Sequence, residues 1–352
     1  MNAILGVIFH FLGGFASGSF YMAFKRVKGW AWESYWLIGG LFSWLIVPPL
    51  AALLTVPGFA DIIRDANPSV FNWTYAMGVL WGIGGLTYGL GIRFLGMSLG
   101  NSVILGYCAA FGSLIPPIYY NYFPQEGKIS FSDMMSTGGG RMVLLGVLVC
   151  LTGIVICGRA GMMKEQDLSE EDKRKSIAEF SLVKGLIVAT ISGILSACFN
   201  FGIEAGKPMA EAAVKLGNNP LFQNNVTYVV LLWGGLTTNF IWCVLLNAQN
   251  KTFSDYGNRN APLARNYIFS AMAGTTWFLQ FFFYGMGESK LGNGASSWIL
   301  HMAFIILVSN MWGIALHEWK GVRPQTRLTI TIGILAILAS VLLVGYGNSL
   351  TH

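Results

Sequence analysis

Apolar stretches of about 20 residues recur ten times in this chain of 352 residues, and about 20 is what an α-helix needs to cross some 30 Å of hydrocarbon. They cover 3–24, 34–56, 72–95, 99–123, 141–160, 184–206, 224–247, 266–288, 293–317 and 327–347. A backbone inside hydrocarbon must satisfy its own N–H and C=O groups, so runs of this length predict helices and an all-α polytopic membrane protein. Composition agrees where it matters: 54% of residues are apolar and only 11% are charged, too little charge for most water-soluble domains. The net charge of +6 comes from basic residues lying between the apolar runs, as topology signals do, which argues against a nucleic-acid partner.

The only long hydrophilic segment runs roughly from Met162 to Glu179. It divides the chain into a first block at 1–161, a linker at 162–183 and a second block at 184–352, with five spans in each block. Five is odd, so the second block enters the membrane from the opposite side, giving two inverted-topology five-helix repeats. The blocks echo each other. Trp81–Gly96 and Trp277–Gly292 align without a gap at Trp, Tyr, Gly, Gly, Leu and Gly, and Gly14, Ser17 and Phe20 return as Gly193, Ser196 and Phe199. Connections after the odd-numbered spans, together with the span ends that flank them, hold 16 of the 22 Lys and Arg residues, which predicts a cytoplasmic linker and periplasmic termini. The first span has its basic residues after it (Lys25, Arg26, Lys28), the reverse of a cleavable signal, and is expected to be a retained helix. Trp30, Trp32, Trp36, Trp73 and Trp319 fall near span ends, where aromatic belts belong. Pro48-Pro49 and Pro116-Pro117 predict breaks or bends in spans two and four. The five cysteines lie inside apolar runs at no metal-like spacing and read as packing residues.

Ionisable groups inside a bilayer are costly, so each requires a reason. His10 and His301 lie at similar predicted depths, in spans that both start outside, and imidazoles titrate near physiological pH. Glu204 and Lys207, three residues apart at the end of span six, are spaced to pair. Trp277, Gln280, Phe281, Tyr284 and Glu288 form one helical stripe, an aromatic face carrying an amide of the kind that stacks on a sugar ring and bonds its hydroxyls. Trp81 and Tyr88 are placed to form the opposing wall. Arg93 and Arg141 sit at span ends, where they snorkel. No phosphate-binding loop, His/Cys metal set or nucleophile–base constellation is present in the sequence. No cofactor or metal is expected, and uphill transport would draw on an ion gradient.

Ten spans in two inverted fives resemble the drug/metabolite transporter superfamily. Several stretches look closer to the bacterial L-rhamnose–proton symporters: residues 23–34, 81–100, 138–149, KPMAEAA at 207–213, WFLQFFFYGMG at 277–287 and SWILHMAF at 297–304. The resemblance covers nearly the whole chain. It implies an inner-membrane carrier, not an enzyme, that imports a deoxyhexose with a proton by alternating access, acting as a monomer or weak dimer. The superfamily pattern lines the cavity with spans one to four and six to nine. The expected substrate-binding residues are then Trp81, Tyr88, Asn200, Trp277, Gln280, Tyr284 and Trp298, and the expected proton-coupling residues are His301, His10, Lys207 and Glu204. Sodium coupling, a different sugar, and an exporter of metabolites or amino acids on the same scaffold remain open at this point. An enzyme acting on lipid-linked sugar would have to use Glu204, Glu211 and His317, which lack motif spacing.

Overall fold

The computed structural model describes residues 2–95, 97–125, 128–167, 182–315 and 321–350. Within them the chain is helical, with no strand. In order the helices are α1 (Asn2–Ser19), α2 (Tyr21–Phe24), α3 (Trp32–Gly40), a π-helical segment (Leu41–Ile46), α4 (Val47–Thr55), α5 (Phe59–Arg64), α6 (Pro68–Leu95), α7 (Met97–Tyr122), α8 (Phe131–Ser136) and α9 (Gly138–Asp167). Then follow α10 (Leu182–Ala205), α11 (Lys207–Lys215), α12 (Asn224–Asn250), α13 (Leu263–Leu291), α14 (Gly294–Ala315) and α15 (Pro324–Ser349). His317, Trp319 and most of the linker lie outside the described residues.

Among the described residues seven helical segments are long and apolar enough to cross a membrane: Ala3–Phe24, Trp32–Thr55, Val103–Tyr122, Gly138–Lys164, Val183–Lys215, Pro220–Asn250 and Pro324–Gly347. Helices α6 and α13, at 28 and 29 residues, match them in length. Their Gly, Trp and Tyr residues dilute the hydropathy, because these are the helices that carry the aromatic stripes. A shorter apolar segment, Ser296–Ser309, lies within α14.

Proline shapes the second span. Pro48 and Pro49 lack the N–H donors that would close α-helical bonds to the preceding turn, and the widened π turn lies immediately before them. That turn carries Ser43 and Trp44 into the core, where the Ser43 hydroxyl donates to Gly274 O at 2.9 Å. Pro116 and Pro117, by contrast, are carried inside α7.

Helix packing is reciprocal between the blocks. α1 packs on α13 and α14, while α10 packs on α6 and α7; α3 meets α13, while α6 meets α12; α9 pairs with α15. Glycines permit the closest crossings. A Cβ on Gly78 would stand 2.0 Å from Leu231 O, and one on Gly274 would stand 2.1 Å from Gly39 O. Gly274 follows Gly78 by the same 196 residues that separate Trp277 from Trp81. A methyl group at such a crossing must push two backbones apart. Gly274→Ala is therefore expected to destabilise the detergent-solubilised protein by about 1–3 kcal/mol, read as a lower melting temperature. Gly85→Ala, where a Cβ meets nothing within 4 Å, is expected to leave it unchanged or slightly raise it.

Candidate functional site

Both membrane histidines are fully buried, one on α1 and one on α14. Each imidazole rests where a neighbouring helix has no side chain. A Cβ on Gly287 would lie 2.7 Å from His10 Nε2, and one on Gly13 would lie 3.3 Å from His301 Nδ1. The two rings are 6.3 Å apart, and the Tyr284 ring meets them edge-on at 5.3 Å and 5.2 Å. None of the four imidazole nitrogens has a hydrogen-bond partner among the described residues. Buried polar atoms in native structures are nearly always paired, so unpaired nitrogens in a sealed nook point to a ligand that brings its own polar groups.

The aromatic wall lies beside them. Trp81 and Trp277 stand 5.6 Å apart between ring centroids, and Trp44 meets both edge-on at 6.3 Å and 5.9 Å. Phe199 stacks on Phe281 at 3.8 Å and touches Trp81 at 5.2 Å. Asn200 bridges the two blocks: its amide donates to Gly112 O at 2.7 Å, and its carbonyl accepts from the Tyr284 hydroxyl at 3.4 Å. Trp298 seats on Gly112 and donates its indole N–H to Cys108 O at 3.0 Å. Gln280 is buried and donates to Trp277 O at 2.9 Å, one turn back on its own helix.

The described arrangement is closed. A cleft of about 10 Å³ beside Phe24, Trp36, Ser43, Trp44 and Trp277 adjoins the tryptophans, far smaller than the roughly 300–1,000 Å³ of typical ligand pockets. A hexose therefore enters only if the helices part.

Several residues stand elsewhere than the sequence suggests. Tyr88 is not opposite Trp277; it packs against Ile104 and Ala189. Ala189 follows His10 by the same 179 residues that separate Gly193 from Gly14, so the Tyr88 nook is an apolar counterpart of the Tyr284 nook. Glu204 and Lys207 do not pair with each other. α10 ends at Ala205 and α11 starts at Lys207, so the three-residue spacing is interrupted at Gly206 and each side chain reaches a different helix. The Glu204 carboxylate accepts from Lys128 Nζ at 2.8 Å and from the Tyr120 hydroxyl at 2.9 Å. Lys207 Nζ donates to Glu288 at 3.3 Å, and Asn224 donates to the other Glu288 oxygen at 2.5 Å. Trp30 is buried between Tyr256 and Tyr267, at 5.8 Å and 4.9 Å, rather than facing lipid, whereas Trp73 is 59% exposed.

Trp44, Phe199, Asn224, Lys128 and Tyr120 also stand here, and the sequence does not mark them as site residues. The break at Pro48-Pro49 and the echo of Phe20 in Phe199 were the signals available. Of the residues a lipid-linked-sugar enzyme would use, Glu211 is exposed, Glu204 is engaged by two donors, and His317 lies outside the described residues. Among the described residues no group of three or more His, Cys, Asp or Glu could hold a metal ion.

Known proteins match the chain along nearly its whole length. The family model for the L-rhamnose-proton symport protein (RhaT) matches residues 1–350. The L-rhamnose-proton symporter of Yersinia pestis (strain Pestoides F) is 39% identical over 349 residues, covering 98% of each chain. That of Cronobacter sakazakii (strain ATCC BAA-894) is 36% identical over 352 residues, again covering 98% of each. A chain matched from end to end by a family of transporters, with an aromatic and imidazole nook between its two blocks, is no enzyme: it belongs to the L-rhamnose-proton symport protein family.

Proposed function

We propose that this chain imports L-rhamnose, or a closely related deoxyhexose, together with a proton across the bacterial inner membrane by alternating access. The observation that carries the reading is the nook itself: two partnerless imidazoles beside a tryptophan wall, in a chain whose relatives are named L-rhamnose-proton symporters. The apolar face of the sugar stacks on Trp81 and Trp277. Its hydroxyls take hydrogen bonds from Asn200, Gln280, His10 and His301, since a neutral imidazole offers one donor and one acceptor. Trp298 and Tyr284 close the far side.

The ten apolar stretches all cross the bilayer in this reading, as two inverted halves at 1–161 and 184–352 joined by a cytoplasmic linker. The reciprocal packing of α1 with α13 and of α10 with α6 supports the inversion. The basic residues support cytoplasmic odd-to-even connections and periplasmic termini. The site is built within one chain, which suits a carrier that works as a monomer. Energetically one proton suffices: a charge crossing 100 mV releases about 2.3 kcal/mol, which sustains a gradient of roughly 50-fold for a neutral sugar.

The test is L-rhamnose added to energised, weakly buffered cells that carry the protein. The medium is expected to turn alkaline transiently, with uptake unchanged on replacing sodium by choline and lost on adding a protonophore. Sodium dependence would reassign the coupling ion. Sugar efflux without proton movement would favour an exporter.

A further inference from the structure

Beyond the sugar nook, the end of α13 holds a charge arrangement that the binding of a neutral hexose does not require. Glu288 is 3% exposed. From α11 it faces Lys207, from α12 Asn224 and the buried Tyr228, and along its own helix Tyr284, while His10 of α1 sits on the adjacent Gly287. From α10 it faces Glu204: a Cβ on Gly294, the first residue of α14, would stand 3.0 Å from Glu204 Oε1 and 3.9 Å from Glu288 Oε1. Glu211, on α11 with Lys207, is exposed. Two carboxylates thus straddle one helix start, and the two are held differently. Glu204 is locked by Lys128 and Tyr120 at 2.8 Å and 2.9 Å. Glu288 is held by Asn224 at 2.5 Å and, among the described residues, by one cation, Lys207, at 3.3 Å, whose side chain is 26% exposed. The Glu204 cation is nearer and less exposed, whereas the Glu288 cation lies farther off and within reach of water.

We propose that Glu288 is the carboxylate that loads the coupling proton, and that Lys207 is the cation it holds when unprotonated. The inference rests on the symport reading above. A proton arriving from the periplasm forms the O–H of the Glu288 carboxyl, and the Lys207–Glu288 ion pair ends. The ammonium keeps its charge and turns to water, which unties α11 from α13. Tyr284 lies one helical turn from Glu288 and touches both imidazoles, so the protonated end of α13 and the sugar nook move as one element. On the inner side the carboxyl releases its proton to the cytoplasm, and Lys207 pairs with it again. The cycle moves one proton inward for each sugar and leaves no net change on the protein.

The experiment uses the full chain in proteoliposomes with labelled L-rhamnose. Glu288→Gln keeps the shape and an acceptor for Asn224 but cannot cycle a proton. It is expected to retain rhamnose counterflow and to lose accumulation driven by the proton gradient, from roughly 50-fold at 100 mV to unity. Glu288→Asp, which keeps a carboxylate, is expected to recover part of it. Wild-type accumulation in Glu288→Gln would overturn the assignment. If wild-type vesicles themselves exchange no rhamnose, the symport reading falls and this one with it. A second measurement does not depend on a variant folding: a hydrophobic carbodiimide, which attacks protonated buried carboxyls, is expected to mark Glu288 of the wild type more at acidic than at alkaline pH, seen by peptide mass mapping. Absence of that mark across the range would also overturn the assignment.

Discussion

His301→Leu is expected to raise the melting temperature of the purified protein while cutting L-rhamnose uptake by roughly 10–100-fold, the value of one or two hydrogen bonds in a dry site. The two effects share one cause. Both nitrogens of His301 are buried without a partner among the described residues, and an unsatisfied buried polar group costs about 1–3 kcal/mol. Leucine fills comparable space among Phe281, Tyr284 and His10 and removes that cost, so the empty protein gains stability. The bound state loses the group that answers a sugar hydroxyl, so transport falls. An imidazole whose role was only to pack would give the opposite pair of results, lower stability with transport retained. Differential scanning fluorimetry and uptake at two pH values on one preparation decide it. Full pH-dependent uptake in His301→Leu would remove His301 from both sugar and proton handling.

The second large effect is expected at the other end of the bundle. The connection between α2 and α3 is tied to the stretch around α12 and α13 by a buried polar lattice. Asp255 accepts from Ala31 N–H and from the Ser34 hydroxyl, both at 2.8 Å. Glu33 accepts from Asn250 at 2.9 Å and from Thr252 at 2.8 Å. Asn266 exchanges two bonds with the Lys28 backbone, at 3.1 Å and 2.8 Å. On the orientation proposed above this is the cytoplasmic side, and in the alternating-access reading the lattice is what must break for inward release. Asp255→Ala strands the Ala31 N–H, at about 1–3 kcal/mol, and leaves the Ser34 hydroxyl only the longer bond to Asn247 Oδ1 at 3.2 Å. It is expected to shift the closed protein toward an inward-open form by more than tenfold, since about 1.4 kcal/mol is a factor of ten. The readout is maleimide labelling of Cys108 and Cys198, both buried beside the nook, in a background lacking the other three cysteines. Faster labelling together with reduced accumulation is the expected result. Unchanged labelling would mean that the lattice only staples loops.

These effects separate what could be read residue by residue from what could not. The stripe from Trp277 to Glu288 was legible because a helix repeats every 3.6 residues, and the face it predicts is the face that is buried: Gln280, Phe281, Tyr284 and Glu288 are each less than 5% exposed. The similar depths of His10 and His301 were legible too, because rise per residue converts sequence position into height. The expected Glu204–Lys207 pair failed because i, i+3 spacing holds only along an unbroken helix, and Gly206 interrupts this one. Tyr88 and Tyr284 occupy equivalent places in the repeated stretch, yet one meets Ala189 and Ile104 and the other meets two histidines. Trp44 and Phe199 gave little signal because an aromatic residue in a helix that is apolar on every side marks no particular face.

The sequence by itself determined that the chain is a helical membrane protein of a rhamnose–proton symporter family, since length, hydropathy and motif identity are properties of the chain read along its length. Which carboxylate meets which lysine, which tyrosine reaches the imidazoles, and that the tryptophan wall closes over the nook were decided by the tertiary structure alone. Those facts depend on where one helix crosses another, and crossings such as Gly78 on Leu231 or Gly274 on Gly39 join residues that the chain keeps far apart.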